Sequence, residues 1–277
     1  MEAFGLYQLS ELIYEYCGID YRKNPTSLET KVKKRIEELN STYLEYMDCL
    51  HREAREWDVL LELITVNETF FFREENMLEE FTKVILPLYQ DRTSQNPLRI
   101  WCAACSTGEE PYTLGMLIEA SGLFSTDSVK IVATDINKKV LKKAISGRYN
   151  KKSFSFRKMP EGTLKKFFIE LEEDYLVKDS IREMVDFRNM NLLDKNITGK
   201  IEKADIILCR NVLIYFDRKA IQTIIDSFDR ILKPNGTLFL GHSETLTNYR
   251  HKYSTIYTDK IFYYKKGDSP LCSSTEY

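Results

Sequence analysis

Carboxylates stand just after two apolar runs of this sequence, and their surroundings limit what they could bind. Glu109 and Glu110 follow Leu98-Arg99-Ile100-Trp101-Cys102-Ala103 by a short turn, and Asp135 follows Val129-Lys130-Ile131-Val132-Ala133-Thr134 directly. Acidic side chains at such a turn repel phosphates but pair well with an ammonium group, and a carboxylate just after a strand commonly accepts hydrogen bonds from ribose hydroxyls. The first turn carries a single glycine, Gly108, in place of the Gly-x-Gly-x-x-Gly pattern that lets backbone approach a pyrophosphate. A nicotinamide or flavin dinucleotide is therefore disfavoured. The residues suit a nucleoside with a positively charged, phosphate-free appendage, which is the constitution of S-adenosylmethionine. Plainer roles compete: one glutamate serving the helix N-terminus, and Asp135 capping the helix that Asp135-Ile136-Asn137 opens.

Cys102 and Cys105 form a Cys-x-x-Cys, but there is no second such pair and there are only three histidines, so no metal is expected. Their place at the end of an apolar run suits buried, inert thiols. The six cysteines, Cys17, Cys49, Cys102, Cys105, Cys209 and Cys272, are scattered over a chain long enough to bury a core without staples. Reduced thiols and a cytoplasmic location are expected.

The elements that must position these groups fall into two patterns. From Phe4 to about Leu63 apolar residues recur three and four apart, as in Leu28, Val32, Ile36 and Leu39, which reads as a small helical bundle. Pro25-Thr26-Ser27 and Asn40-Ser41-Thr42 supply breaks and caps, and a helix over Met77–Leu88 leads into a polar stretch, Asp91 to Pro97. Beyond Pro97, short apolar runs alternate with patterns of helical period: 98–103, 129–134, Ala204–Cys209 and Thr237–Gly241. That alternation predicts a parallel sheet covered on both faces. Tyr253–Tyr257 and Ile261–Lys265 predict a terminal antiparallel hairpin, and Phe167–Asn191 a small antiparallel excursion from the main sheet.

The fold expected is thus α/β: a doubly wound, Rossmann-like domain over 76–277 with an antiparallel insert near 167–190, preceded by an all-helical domain over 1–75. With 43% hydrophobic and 30% charged residues and a formal net charge of −2, the composition is that of a soluble globular protein without the basic excess that nucleic acid demands. No apolar run reaches the roughly 20 residues of a membrane span. Met-Glu-Ala-Phe-Gly lacks the features of a secretory signal, so export and membrane insertion are not expected.

Six blocks then resemble, in order, the chemotaxis receptor methyltransferases, the CheR family: Val66–Arg73, Ala104–Tyr112, Ala133–Ile136, Asn191–Leu193, Cys209–Phe216 and Gly241–Glu244. The resemblance covers essentially the whole chain. It implies an enzyme that uses S-adenosylmethionine to convert glutamates on the cytoplasmic signalling helices of chemoreceptors into methyl esters, releasing S-adenosylhomocysteine. It implies cofactor contacts from Asn67, Thr69, Arg73, Glu110, Asp135, Asn191, Leu192, Arg210 and Asn211, with Arg73 and Tyr215 nearest the transferred methyl. Core packing of Phe70-Phe71-Phe72, a structural ion pair for Arg73 and a buried, satisfied Tyr215 hydroxyl are the bland counterparts. A rival of another class is a non-catalytic module that reads out bound S-adenosylmethionine.

Receptor docking falls to the helical domain, where Lys31, Lys34 and Arg35 flank the apolar stripe of the Leu28 helix and could meet acidic receptor helices. A solvated face balanced by Glu29, Glu37 and Glu38 is the alternative. The insert resembles the family's β-subdomain, which in some members adds a receptor-tail peptide as an edge strand. Its connection Glu170-Leu171-Glu172-Glu173-Asp174 is short, acidic and without glycine, so an enzyme independent of such a tether is expected; separately, a monomer is expected.

Overall fold

The computed structural model describes residues 2–267; Cys272 lies outside them. Four helices open the chain: α1 (Glu2–Cys17), α2 (Pro25–Glu38), α3 (Tyr43–Arg52) and α4 (Ala54–Ile64). Leu28, Val32 and Ile36, one turn apart on α2, are buried together with Leu9, Ile13, Tyr46 and Leu60 in one apolar core. The α2 cap sits one residue earlier than the Pro25–Ser27 break suggests: Asn24 accepts the Ser27 N–H at 3.3 Å, and Pro25, lacking a donor, occupies the first turn. At α3, Thr42 and Glu45 form a reciprocal capping box, with the Thr42 N–H on the Glu45 carboxylate at 2.8 Å.

The helix expected over 77–88 is irregular. It starts as α5 (Glu75–Glu80), widens to a π turn at Phe81–Ile85 and tightens to a 3-10 turn at Leu86–Tyr89. Pro87 explains the change, because its ring would clash with the carbonyl four residues back and it has no N–H to donate.

The remaining elements are β1 (Leu98–Ala103), α6 (Glu109–Ser121), β2 (Val129–Asp135), α7 (Lys138–Ser146), β3 (Arg148–Asn150), α8 (Thr163–Phe167), β4 (Phe168–Glu170), β5 (Asp174–Val177), α9 (Asp179–Arg182), β6 (Val185–Asn189), α10 (Ile197–Lys200), β7 (Ala204–Cys209), α11 (Arg218–Ile231), β8 (Leu232–Leu240), β9 (Tyr253–Tyr257) and β10 (Phe262–Lys266). The main sheet has the order β6-β2-β1-β7-β8-β10-β9. Its first five strands run parallel, and β10 is antiparallel to both neighbours, as the terminal hairpin requires. Every residue of β7 is buried, which is why that strand reads as an unbroken apolar run. From β1 the chain winds outward to β2 and β6, then crosses back to β7, so strand order reverses at β1. A ligand crevice is expected beyond its carboxyl end.

The antiparallel insert is displaced from the expected 167–190. Its three strands are β3, β5 and β4, spanning 148–177, whereas Val185–Asn189 pairs in parallel with Ile131–Asp135 as an edge of the main sheet. An edge strand with one covered face alternates just as a hairpin strand does, so the pattern over 182–187 did not discriminate. Strand β3 is too short to announce itself.

Among the described residues no helix is long and apolar enough to cross a membrane, and no group of three or more His, Cys, Asp or Glu is placed to hold a metal. Cys102 and Cys105 are free and buried, and burial raises both thiols well above their ordinary pKa, which leaves them neutral and unreactive.

Candidate active site

One pocket lies beyond the carboxyl ends of β1, β2, β6 and β7, closed on its other side by the segment joining the helical domain to the sheet. It encloses about 1120 Å³ including its open mouth, and Asn67, Thr69, Arg73, Glu110, Asp135, Asn191, Leu192, Arg210, Asn211 and Tyr215 all line it. The sequence scatters these residues over 149 positions of chain between Asn67 and Tyr215, reckoned inclusively. The strand order brings them to one place.

Asp135 ends β2 and is 7% exposed. Its two carboxylate oxygens accept the N–H groups of Ser106 at 2.8 Å and Asn137 at 2.9 Å. Burial pushes its carboxyl above the usual range, against the pull of these donors. Asn137, not Asp135, caps α7, accepting from Lys139 and Val140. The capping role therefore belongs to its neighbour, and each Asp135 oxygen keeps a lone pair for a further donor such as a ribose hydroxyl.

The two glutamates after β1 divide their tasks. Glu109 is fully buried and accepts the hydroxyls of Thr107 at 2.6 Å and Ser155 at 2.8 Å, so it is structural. Glu110 reaches the pocket and pairs with Arg210 at 2.6 Å. Arg210 also meets Glu74 at 3.0 Å and donates to the Arg73 carbonyl at 3.1 Å, while Glu74 contacts His242 at 3.2 Å. Burial raises the Glu110 carboxyl despite the guanidinium, whereas at Glu74 the opposing effect of burial is overcome by Arg210 and His242 and the pKa is lowered. Two carboxylates thus share one arginine, an arrangement with negative charge to offer an ammonium group. The Arg210 Nε is buried without a partner among the described residues, an unspent donor in a pocket wall.

Arg73 follows Phe72 and precedes Glu74, both held at positive φ, 57° and 61°. Its Nη1 donates to the Glu68 carbonyl at 3.1 Å, and among the described residues it forms no ion pair. The structural ion pair that competed as an explanation of Arg73 is absent there. Tyr215 is half-buried in a 3-10 turn, and its hydroxyl makes no hydrogen bond within the described residues. Burial raises its pKa, with the nearby Arg73 cation counteracting. A guanidinium without an ion pair and a hydroxyl without a hydrogen bond, among the described residues, therefore share the pocket with the two carboxylates.

Left-handed backbone recurs around the site: Phe72, Glu74, Ala104, Ser106 and Asn211 all have positive φ without being glycine. Such conformations persist only where surroundings over-determine them. At Asn211, with φ of 59°, the agent is Glu244, whose carboxylate is 4% exposed. It accepts backbone N–H groups from Gly241, Asn211, Val212 and Leu213 at 2.7 to 2.9 Å. Gly241 leaves room for this cradle, since a Cβ there would lie 2.8 Å from a Glu244 oxygen. Sequence reasoning gives Glu244, Ser106 and Glu74 no role; the first two stand inside the blocks that carry the family resemblance, but what they hold is backbone, which leaves no side-chain pattern.

The helical domain supplies one wall. Cys17 and Ile19 line the pocket, Ile19 bridges Phe216, the Asp20 N–H donates to the Tyr215 carbonyl at 3.1 Å, and Asn191 Nδ2 donates to the Tyr16 carbonyl at 2.7 Å. Gly18 makes the close approach possible: with φ of 77°, an added Cβ would lie 2.3 Å from Leu193 Cδ1. Lys31, Lys34 and Arg35 are outside the pocket, on α2. Arg35 is tied to the buried Glu56 by two hydrogen bonds of 2.8 and 2.7 Å, and Tyr46 donates to the same carboxylate at 2.9 Å, so its charge is spent inside the bundle. Lys34 is exposed, with its Nζ 3.9 Å from the Glu38 carboxylate.

The pocket fits S-adenosylmethionine: roomy, partly apolar through Ile64, Ile136, Leu192 and Phe216, acidic at two strand ends, and without a glycine-rich phosphate cradle. Comparison with known proteins agrees. Residues 5–65 match the family described as CheR methyltransferase, all-alpha domain, and residues 67–262 match CheR methyltransferase, SAM binding domain. Chemotaxis protein methyltransferase 2 of Vibrio cholerae is 32% identical over 272 residues, covering 94% of this chain and 92% of the relative. The chemotaxis protein methyltransferase of Listeria monocytogenes is 35% identical over 244 residues, covering 86% and 89%. That of Escherichia coli is 32% identical over 259 residues, covering 89% and 86%.

Proposed function

Because the chain belongs to the CheR methyltransferase family, with that family's all-alpha and SAM-binding domains in order, we propose that it methylates glutamate carboxylates on the cytoplasmic signalling helices of a chemoreceptor, forming methyl esters. The observation that supports this most directly is the pocket itself. It holds two acidic groups, Glu110 and Asp135, beside the Arg73 guanidinium, which has no ion pair among the described residues, and the Tyr215 hydroxyl, which makes no hydrogen bond among them.

Bound S-adenosylmethionine supplies an activated methyl on a cationic sulfur. Asp135 would accept from its ribose hydroxyls and Glu110 from its ammonium group, with the Arg210 guanidinium donating to a carboxylate oxygen. Asn67, Thr69, Asn191, Leu192 and Asn211 complete the enclosure. A substrate glutamate with an ordinary pKa near 4.3 is already an anion at neutral pH, so no general base is required. What remains is positioning: Arg73 steers the incoming carboxylate or fixes the adjoining cofactor end, and Tyr215 donates a hydrogen bond near the methyl.

Lys31 and Lys34 present the charge that would steer acidic receptor helices towards the site. We read that encounter as independent of a receptor-tail tether, because β4 and β5 are joined by a tight acidic turn closed by the Leu171 N–H on the Asp174 carbonyl at 2.9 Å. The test is incubation with methyl-labelled S-adenosylmethionine and a chemoreceptor cytoplasmic fragment. Incorporated label should be released by mild alkali, as a carboxyl ester must be; alkali-stable label, or none, overturns the reading.

A further inference from the structure

We propose that Arg157, in the antiparallel insert, is a positioning residue for Arg73, so that the insert braces the methyl-transfer site. The inference rests on the proposed role of Arg73. Its basis is a chain of contacts running from the insert to the pocket. Arg157 Nη2 pairs with the Glu68 carboxylate at 2.8 Å, and the Glu68 carbonyl accepts Arg73 Nη1 at 3.1 Å. Between them stands Phe70, with the Arg157 guanidinium carbon 3.7 Å from its ring centroid and that of Arg73 5.7 Å away. Arg157 thus grips both the side chain of Glu68 and the ring of Phe70, the two residues whose atoms meet Arg73.

The rest of the segment is fastened to the same insert. The Phe71 N–H donates to the Ser155 carbonyl at 2.9 Å, and the Phe71 ring packs on Tyr149, Phe156 and Phe168 with centroids 4.9 to 5.4 Å apart. Those contacts explain how the segment is anchored, and they would hold without Arg157. What they leave unfixed is the direction of the guanidinium of Arg73, a long side chain with no ion pair among the described residues and one hydrogen bond, to a carbonyl whose own residue is 67% exposed at its side chain. A guanidinium over an aromatic face and against a carboxylate limits that freedom. The Glu68–Arg157 pair is too exposed to matter much for stability. Orientation is what it can contribute.

Arg157→Ala and Arg157→Lys should therefore be compared with the intact protein in four measurements. Turnover with saturating receptor fragment and S-adenosylmethionine should fall roughly ten- to a hundredfold in Arg157→Ala, the range that misplacement by about an ångström produces. Arg157→Lys, which keeps a cation for Phe70 and Glu68, should recover a large part of it. Cofactor affinity and melting temperature should stay near those of the intact protein. The fourth measurement needs no substrate: relaxation of the Arg73 Nε–H signal should show greater mobility in Arg157→Ala. Unchanged turnover, a loss confined to KM or cofactor affinity, or an equally rigid Arg73 overturns the proposal. If the intact protein makes no alkali-labile ester, the methyl-ester reading falls; the Arg73 relaxation still decides whether Arg157 positions it.

Discussion

The Glu244 carboxylate accepts the backbone N–H of Asn211 at 2.8 Å and so fixes a residue whose φ of 59° is foreign to most side chains. The same carboxylate serves three further N–H groups, which makes it the keystone of the turn that carries Tyr215. Replacing it with alanine leaves those donors buried and unpaired, so Glu244→Ala should lower unfolding free energy by about 3 kcal/mol or more. Urea denaturation measures this. Glu244→Gln, which retains one acceptor, should lose less.

Arg73→Ala and Arg210→Ala should separate function from stability. Arg73 forms no ion pair within the described residues, so its removal should leave stability within about 1 kcal/mol while turnover falls by roughly a hundredfold. Arg210 is buried between Glu74 and Glu110, and its removal strands two carboxylates at a cost of about 3–5 kcal/mol. Initial rates and thermal melts on the same preparations distinguish the two patterns.

Asp135 makes stability and cofactor affinity respond to pH in opposite directions. Burial raises its carboxyl above the ordinary value of 3.8, so the folded protein holds that proton to a higher pH than the unfolded chain. Its contribution to stability is fully present below the ordinary value and is lost as pH rises through the raised one. Binding of ribose hydroxyls needs the ionised form, so affinity should fade as pH descends into that same window. S-adenosylmethionine affinity measured by calorimetry should be flat near neutral pH and weaken as pH falls towards the raised Asp135 value, whereas Asp135→Asn should bind weakly with a flatter profile. The stability of the unaltered protein relative to Asp135→Asn should decline as pH rises across the window.

Charge changes on α2 and on its α4 partner should have distinct outcomes. Lys31→Glu with Lys34→Glu should slow association with a receptor fragment at low ionic strength, with the effect shrinking as the Debye length falls to about 8 Å at physiological salt. Glu56→Ala, which strips Arg35 of its bidentate partner, should instead destabilise the bundle by about 2–3 kcal/mol without a matching salt dependence. Stopped-flow rates and denaturation midpoints report these separately.

The parts of the site nearest the strands were the most legible. Strand β7 is buried throughout, and β1 and β2 are buried along their carboxyl-terminal halves but for the partly exposed Val132, so the residues just beyond them could be named as ligand groups from the sequence. What could not be read was the division of labour between chemically identical neighbours. Glu109 and Glu110 differ because one meets Ser155, 46 residues further on, and the other meets Arg210, 100 residues further on. Arg35 carries the same charge as Lys34 but faces Glu56, which neither spacing nor composition reveals. The edge strand β6 and the three-residue β3 were misassigned or missed for a related reason: pairing partners far off in sequence decide to which sheet a short alternating segment belongs.

The bridge between Ile19 and Phe216 bears on how this protein can be dissected. A fragment trimmed back to residue 67 would keep the whole main sheet, yet it would lack Cys17, Ile19 and Ile64 from the chamber lining and the amide of Asp20 that holds the Tyr215 carbonyl. The amino-terminal helices are thus joint owners of the chamber, and an inert truncated enzyme would say nothing about receptor recognition.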